Sequence, residues 1–384
     1  MNDLLTGFVV VGIASFIVSF LVCSLVRRFA FKIGLLDRPG TRKIHTSPIP
    51  LGGGIGIWFG VVIPLFTIFL AAYFTIHGNV LSFGESFVLH SGGIVASSPR
   101  LATLLGLASI LFILGTIDDR YGLDWKIRIS VELVVAVITV MMGWEATFFV
   151  NSPLLTKTMS ILWIVGLTNS FNLLDNMDGL SSGVAVICAS FLAVILLFCS
   201  PNPDSGQPQL FAGGFLVLLI GGIIGFWCHN MPKARLFMGD GGAYFIGYLL
   251  ASTTLSATFV SKGTPSQVVL TPLCIFAVPL YDTISVVVIR LAHGRSPFIG
   301  DTNHYSHRLV AIGLSKTGAV LTIYLTTAIC GIGAIFLYQL NKYAAYLVGV
   351  QVAMILLLNA VLEFSARRKI MEEENVIRSE QSRK

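Results

Sequence analysis

The feature that most constrains this chain is a series of long stretches without a single ionisable side chain. Residues 4–26, 46–76, 101–117, 158–174, 179–203, 205–228, 241–261, 263–281, 317–341 and 343–362 contain no Asp, Glu, Lys, Arg or His. Residues 129–144 join them as an apolar stretch that tolerates one acid, Glu132. A bilayer crossing needs about 20 predominantly apolar residues, so the pattern predicts eleven spanning helices. A transmembrane β-barrel is excluded, because barrels alternate apolar and polar residues over about ten positions instead of running continuously apolar. Composition agrees: 11% of the 384 residues are charged, against roughly 25% in soluble domains. The expected fold class is all-α, a polytopic integral membrane protein.

The basic residues orient it. Asp3 precedes the first apolar stretch and Arg27, Arg28 and Lys32 follow it, the reverse of a secretory signal. With eleven spans, one set of loops (27–50, 118–130, 172–180, 229–240, 290–316 and 365–384) holds twenty-one of the 25 Lys and Arg, and the other set holds four. By the positive-inside bias the richer side is cytoplasmic. The N-terminus is then expected outside and the C-terminus inside. Residues 1–366 read as one transmembrane catalytic domain and 367–384 as a charged cytoplasmic tail. The net charge of +6 is used in orientation and implies no nucleic-acid partner. Six scattered cysteines without a Cys-x-x-Cys pair give no zinc or redox motif.

The acids carry the functional signal. Asp118, Asp119, Asp175, Asp178, Asp240 and Asp301 all fall on the expected cytoplasmic side. Carboxylates gathered without matching local cations call for a hard divalent ion, Mg²⁺ or else Mn²⁺. Adjacent Asp118 and Asp119 end the third span and, as helical neighbours, point in different directions. Asn172, Asp175 and Asp178 recur every three residues, a spacing that predicts three oxygen donors along one helical side. Asp240 sits between glycines at the start of an apolar helix, whose first amides favour phosphate. Two basic loops face this set. One contains Arg42, Lys43 and His45 before Pro48-Ile49-Pro50-Leu51-Gly52-Gly53; the other is Asp301-Thr302-Asn303-His304-Tyr305-Ser306-His307-Arg308. Carboxylates for a metal and cations for phosphate suggest pyrophosphate chemistry at a membrane surface.

These motifs, in this order from about residue 27 to 325, resemble the polyprenyl-phosphate N-acetylhexosamine-1-phosphate transferases. The loop at 42–53 is similar to that family's first cytoplasmic signature and Asp118-Asp119 to its paired aspartates. Residues 172–179 resemble its Asn-x-x-Asp-x-x-Asp-Gly element, 237–240 its Phe-Met-Gly-Asp, and 301–308 its histidine loop. The resemblance implies transfer of a sugar 1-phosphate from a UDP-N-acetylhexosamine to undecaprenyl phosphate, with release of UMP. This would be the first membrane step of a cell-envelope glycan such as lipopolysaccharide or teichoic acid, in the bacterial inner membrane. It implies Asp240 as main metal ligand with Asn172 second, and Phe237 stacked on the uracil. Lys43, His45, Lys126, His304, His307 and Arg308 would bind substrate phosphates. Asp118 and Asp119 would lie near the lipid phosphate, with Asp175 and Asp178 completing the catalytic set. Eleven spans resemble the GlcNAc branch of the family. One departure stands out: Ser306 occupies a position where the family often carries histidine.

Two rivals are weighed. Asp175-x-x-Asp178-Gly179 copies the opening of the CDP-alcohol phosphotransferase motif, but no aspartate follows until Asp204. A secondary transporter places charge at the bilayer midplane, which only Asp282 fits. The sugar identity and the oligomeric state, a homodimer among the options, leave no readable mark.

Overall fold

The computed structural model describes residues 2–37, 48–78, 84–146, 152–199, 209–256, 266–298 and 301–381. Lys43 and His45 lie outside the described residues. The helices are α1 (Asn2–Ile33), α2 (Gly53–Ile76), α3 (Glu85–Tyr121), α4 (Trp125–Met141), α5 (Pro153–Leu174) and α6 (Leu180–Val194), which ends in a π turn at Ile195–Cys199. They continue with α7 (Leu210–Asn230), α8 (Asp240–Ser256), α9 (Leu270–Ile275), α10 (Ala277–Ala292), α11 (Tyr305–Ala311), α12 (Lys316–Phe336) and α13 (Lys342–Gln381). The only strands among the described residues are β1 (Leu36–Asp37) and β2 (Ile49–Pro50), an antiparallel pair of two residues each. This is an all-α polytopic membrane protein. Among the described residues seven helices are long and apolar enough to cross a bilayer, eight if the bent pair α9–α10 counts as one.

Each of the eleven apolar stretches coincides with one helix or, for 263–281, with the α9–α10 pair. That pair bends by 70° around Phe276. Pro279 supplies the reason: it has no N–H for the Ile275 carbonyl four residues back, and its ring crowds that carbonyl. Helix α4 has 17 residues, about 25 Å of rise, short of an apolar core about 30 Å thick.

Helix α8 forms the centre. Every residue from Gly241 to Leu255 is buried, because α3 and α5 pack along it and α2 crosses its start. The approach at that start is backbone to backbone. A Cβ on Gly115 of α3 would lie 2.3 Å from the Gly241 nitrogen, and one on Gly54 of α2 would lie 2.5 Å from the Gly242 nitrogen. Small residues let membrane helices come this close. Here the contact sets Asp240, the first residue of α8, beside the last turn of α3.

Candidate active site

The segment before α8 is held by backbone pairing to the proline–glycine segment of residues 48–54. Phe237 donates its N–H to the Pro50 carbonyl (2.9 Å), while the Gly53 and Gly54 amides donate to the Phe237 (2.9 Å) and Met238 (3.0 Å) carbonyls. The Phe237 ring is half-buried beside Asp240 in sequence.

Asp118 and Asp119 divide their work as adjacent helical positions must. Asp118 accepts from the Leu123 amide at 2.6 Å and from Arg128 Nη1 at 2.7 Å. Asp119 turns the other way and accepts from the amides of Asp240 (2.9 Å) and Gly241. The free amides at the start of α8 were expected to attract a substrate phosphate. The acid of α3 occupies them instead, as a carboxylate does at any helix N-terminus within reach. Asp240 itself remains about one-third exposed, with Oδ1 accepting from Asn172 Nδ2 at 2.8 Å and Oδ2 lying 3.7 Å from Arg128 Nη1.

The expected one-sided row of Asn172, Asp175 and Asp178 does not form. Helix α5 stops at Leu174, Asp175 is its C-cap, and Gly179 takes a left-handed conformation (φ 74°) before α6. Only Asn172 keeps the helical direction toward Asp240. Asp178 leaves the row to accept from the Ala234 amide at 3.0 Å. Asp175 accepts no hydrogen bond among the described residues. Its carboxyl is pushed up to about 8, first by burial and then by the charges of Asp119 and Asp178.

The histidine loop is fixed from below. Asp282 of α10, fully buried, accepts from His304 Nδ1 at 3.1 Å and from the Tyr305 amide at 2.6 Å. The residue that best fitted a transporter is thus the orienting partner of a histidine. Arg290, also on α10, donates to Asp301 at 3.1 Å and to the Pro297 carbonyl at 2.6 Å. Burial opposes the ionisation of Asp301, but the bonds from Arg290 and Asn303 prevail and hold its carboxyl at about 2. His307 is half-buried, 6.2 Å ring to ring from His304. Burial and then the His304 charge hold its imidazole below the usual histidine value. Arg308 is buried and points inward. Ser306 donates to Asn176 at 2.5 Å, which ties this loop to the turn after α5.

Lys126 is exposed, its ammonium 5.9 Å from the centre of the Trp125 ring. The cation that reaches the carboxylates is Arg128, half a turn further along α4. Sequence reasoning missed it among the loop cations, although Asp124 caps α4 through the Lys126 amide and so fixes which side chain of the first turn faces inward. It also missed a basic cavity of about 250 Å³ lined by Ile289, Arg290, His293, Arg295 and Asn303.

Two carboxylates, Asp118 and Asp240, therefore face the Arg128 guanidinium, with Asp119 bonded to the Asp240 amide and Asp175 close enough to Asp119 to feel its charge. Among the described residues no three His, Cys, Asp or Glu side chains close around a point as a complete metal cage. An incomplete set of hard oxygens with excess negative charge is the arrangement that suits Mg²⁺, which keeps waters and shares substrate phosphates. The residues present fit that ion.

Fold and site together define a polytopic membrane protein with a carboxylate-rich site beside a histidine loop. The glycosyl transferase family 4 model matches residues 101–258. The chain is 33% identical over 346 residues to a probable undecaprenyl-phosphate N-acetylglucosaminyl 1-phosphate transferase of Bacillus subtilis, covering 88% of this chain and 87% of that protein. It is 32% identical to a decaprenyl-phosphate N-acetylglucosaminephosphotransferase of Mycolicibacterium smegmatis (84% and 80% covered). It is 28% identical to the undecaprenyl-phosphate alpha-N-acetylglucosaminyl 1-phosphate transferase of Escherichia coli K12 (83% and 80% covered). The chain belongs to glycosyl transferase family 4, in its polyprenyl-phosphate N-acetylhexosamine-1-phosphate transferase group.

Proposed function

We propose that this protein transfers N-acetylglucosamine 1-phosphate from UDP-N-acetylglucosamine to undecaprenyl phosphate, at the cytoplasmic face of a bacterial inner membrane. Relatives named for this transfer, at 28–33% identity over most of the chain, support the substrates. The charge bias of the loops and one helical element for each of the eleven apolar stretches support eleven crossings with the N-terminus outside. The observation that carries the mechanism is the joining of Asp119, Asp240 and Asn172 at the start of α8.

An oxygen of the lipid phosphate attacks the β-phosphorus of the nucleotide sugar. A new P–O bond forms, the bond to UMP breaks, and UMP leaves with its electron pair. A phosphate monoester is largely dianionic near neutral pH, so the attacking oxygen needs no strong base. Both oxygens of Asp118 are engaged, which suits a residue that positions Arg128 and not one that takes a proton. Asp240, with Asn172 beside it and Asp119 and Asp175 behind, would hold Mg²⁺, which offsets charge on the transferring phosphoryl group. Arg128 adds a fixed positive charge at the same place. Phe237 offers a ring to the uracil, and His304 and His307 face the donor phosphates. Lys126, and Lys43 and His45 outside the described residues, would bind substrate phosphates. Asp178 braces the segment before Phe237 through Ala234.

UMP release from a panel of UDP-sugars, with and without undecaprenyl phosphate, tests the reading. Release with UDP-N-acetylglucosamine only when lipid and Mg²⁺ are both present is the expected result. Asp240→Asn should reduce it at least about a hundredfold, the scale of losing a strong electrostatic stabiliser, while the protein still folds. Turnover by this variant with an unchanged Mg²⁺ requirement would remove Asp240 from the metal site.

A further inference from the structure

The last helix carries one acid within its apolar length, Glu363, and it is buried. A carboxylate in that setting must be matched by a partner. Its Oε2 accepts from Arg308 Nε and its Oε1 from the Tyr281 hydroxyl at 3.4 Å. Arg308 is the hub of this contact. Nη2 donates to Ser285 Oγ of α10 at 2.8 Å, and Nη1 donates to the Asn303 carbonyl, immediately before His304. The guanidinium also lies 5.8 Å and 5.9 Å from the ring centres of Tyr281 and Tyr305, which meet edge to face.

Each nitrogen of Arg308 therefore has a partner in the protein interior, and the group is buried. What Arg308 does hold is the backbone of the histidine loop. Asp282 grips that loop at His304 and Tyr305, and Arg308 grips it one residue earlier. Without the Glu363 charge, a buried guanidinium would lose its counter-ion and its reason to stay in this geometry.

We infer that Glu363 is a positioning residue for donor binding. Acting through Arg308, it fixes the Asn303–His304 backbone so that the two histidines are presented to the pyrophosphate of the nucleotide sugar. This rests on the reading of the site as a UDP-sugar site. Lys126, the described cation assigned to the lipid phosphate, lies on α4 and shares no hydrogen bond or ion pair with Glu363 or Arg308, so acceptor binding is expected outside its influence.

Glu363→Gln keeps the size of the side chain and an acceptor oxygen but removes the charge. It should raise KM for UDP-N-acetylglucosamine about tenfold, with kcat within about threefold and KM for undecaprenyl phosphate unchanged, the signature of lost donor binding. Glu363→Asp, which keeps the charge, should fall between this variant and wild type. Arg308→Gln combined with Glu363→Gln should be no worse than the poorer single variant, since residues of one network are not additive. A purely packing role predicts lower thermal stability with KM unchanged, and that result, or additive effects, overturns the inference.

Hydrogen exchange of residues 301–308 supplies a readout independent of turnover. Faster exchange in Glu363→Gln than in wild type is expected, with Glu363→Asp intermediate. Wild-type exchange in both variants overturns the link even if the enzyme reading stands. Should wild type release no UMP from any UDP-sugar, the site reading fails and the exchange comparison alone decides the link.

Discussion

Ser306 Oγ donates to Asn176 Oδ1 at 2.5 Å, joining two loops 130 residues apart in the chain. Asn176 lies between Asp175 and Asp178, and Ser306 lies between His304 and His307. The hydroxyl that stands where related sequences often carry histidine is therefore a strut between the carboxylate turn and the histidine loop. It is buried, and the larger imidazole could enter only by pushing the two loops apart.

Ser306→Ala removes the donor to the half-buried Asn176 oxygen, a loss of about 0.5–1.5 kcal/mol for one hydrogen bond. Thermal stability should fall by that amount, and KM for the nucleotide sugar should rise. Ser306→His should be worse on both counts. A histidine variant that matches wild type in both would show that the position tolerates the larger ring and that the strut is dispensable.

The cations of α4 give a second contrast. Arg128 bonds Asp118 at 2.7 Å and approaches Asp240, whereas Lys126 points away and is exposed. Arg128→Ala should lower turnover by about two orders of magnitude, comparable to losing a fixed electrostatic stabiliser. Arg128→Lys should recover part of it, because a point charge remains while the planar fork is lost. Lys126→Ala should raise only the requirement for lipid phosphate, by a few-fold, as expected of an exposed cation. Equal losses in Arg128→Ala and Lys126→Ala would contradict this division of labour.

Helix contact controls the site as strictly as charge does. Gly115→Ala would set a methyl group 2.3 Å from the Gly241 nitrogen, with backbone and no flexible side chain in the way. Overpacking of this kind costs about 1–3 kcal/mol. The same displacement pulls Asp119 from the Asp240 amide, so turnover should fall further than stability alone explains. Gly106 of the same helix faces open space, and Gly106→Ala serves as the control, with both quantities near wild type.

What could be read in the sequence follows from how local the cause is. Apolar length is local, so every long uncharged stretch became a helix. The acids at 118, 119, 175, 178 and 240 were visible because charge beside an apolar run is conspicuous. The bend at Phe276 could have been found too, since Pro279 strips the Ile275 carbonyl of its partner. The direction of a side chain is another matter. Lys126 is singled out in the sequence and Arg128 is not, because only the Asp124 cap fixes the rotation of α4 and shows which of them faces the acids. Arg308 and Glu363 are 55 residues apart; in sequence Arg308 reads as a phosphate-binding cation of the histidine loop, and nothing local to either residue announces the pair. The spacing of Asn172, Asp175 and Asp178 suggested a helical row because nothing local to it announces that α5 stops at Leu174. Only the left-handed Gly179 hinted at the turn.

Asp175 has its carboxyl raised to about 8 by burial and by the charges of Asp119 and Asp178, against about 3.9 in an unfolded chain. The folded state therefore holds this proton more tightly than the unfolded state. Its contribution to stability is full below the unfolded value, declines as pH rises, and is gone once pH passes the folded value. In detergent with chelator present, this linkage lowers the melting temperature of wild type steadily from about pH 4 to about pH 8 and no further above it. Asp175→Asn cannot ionise and should show a shallower slope over that range. A slope identical to that of wild type would mean that Asp175 is already ionised in the folded metal-free protein.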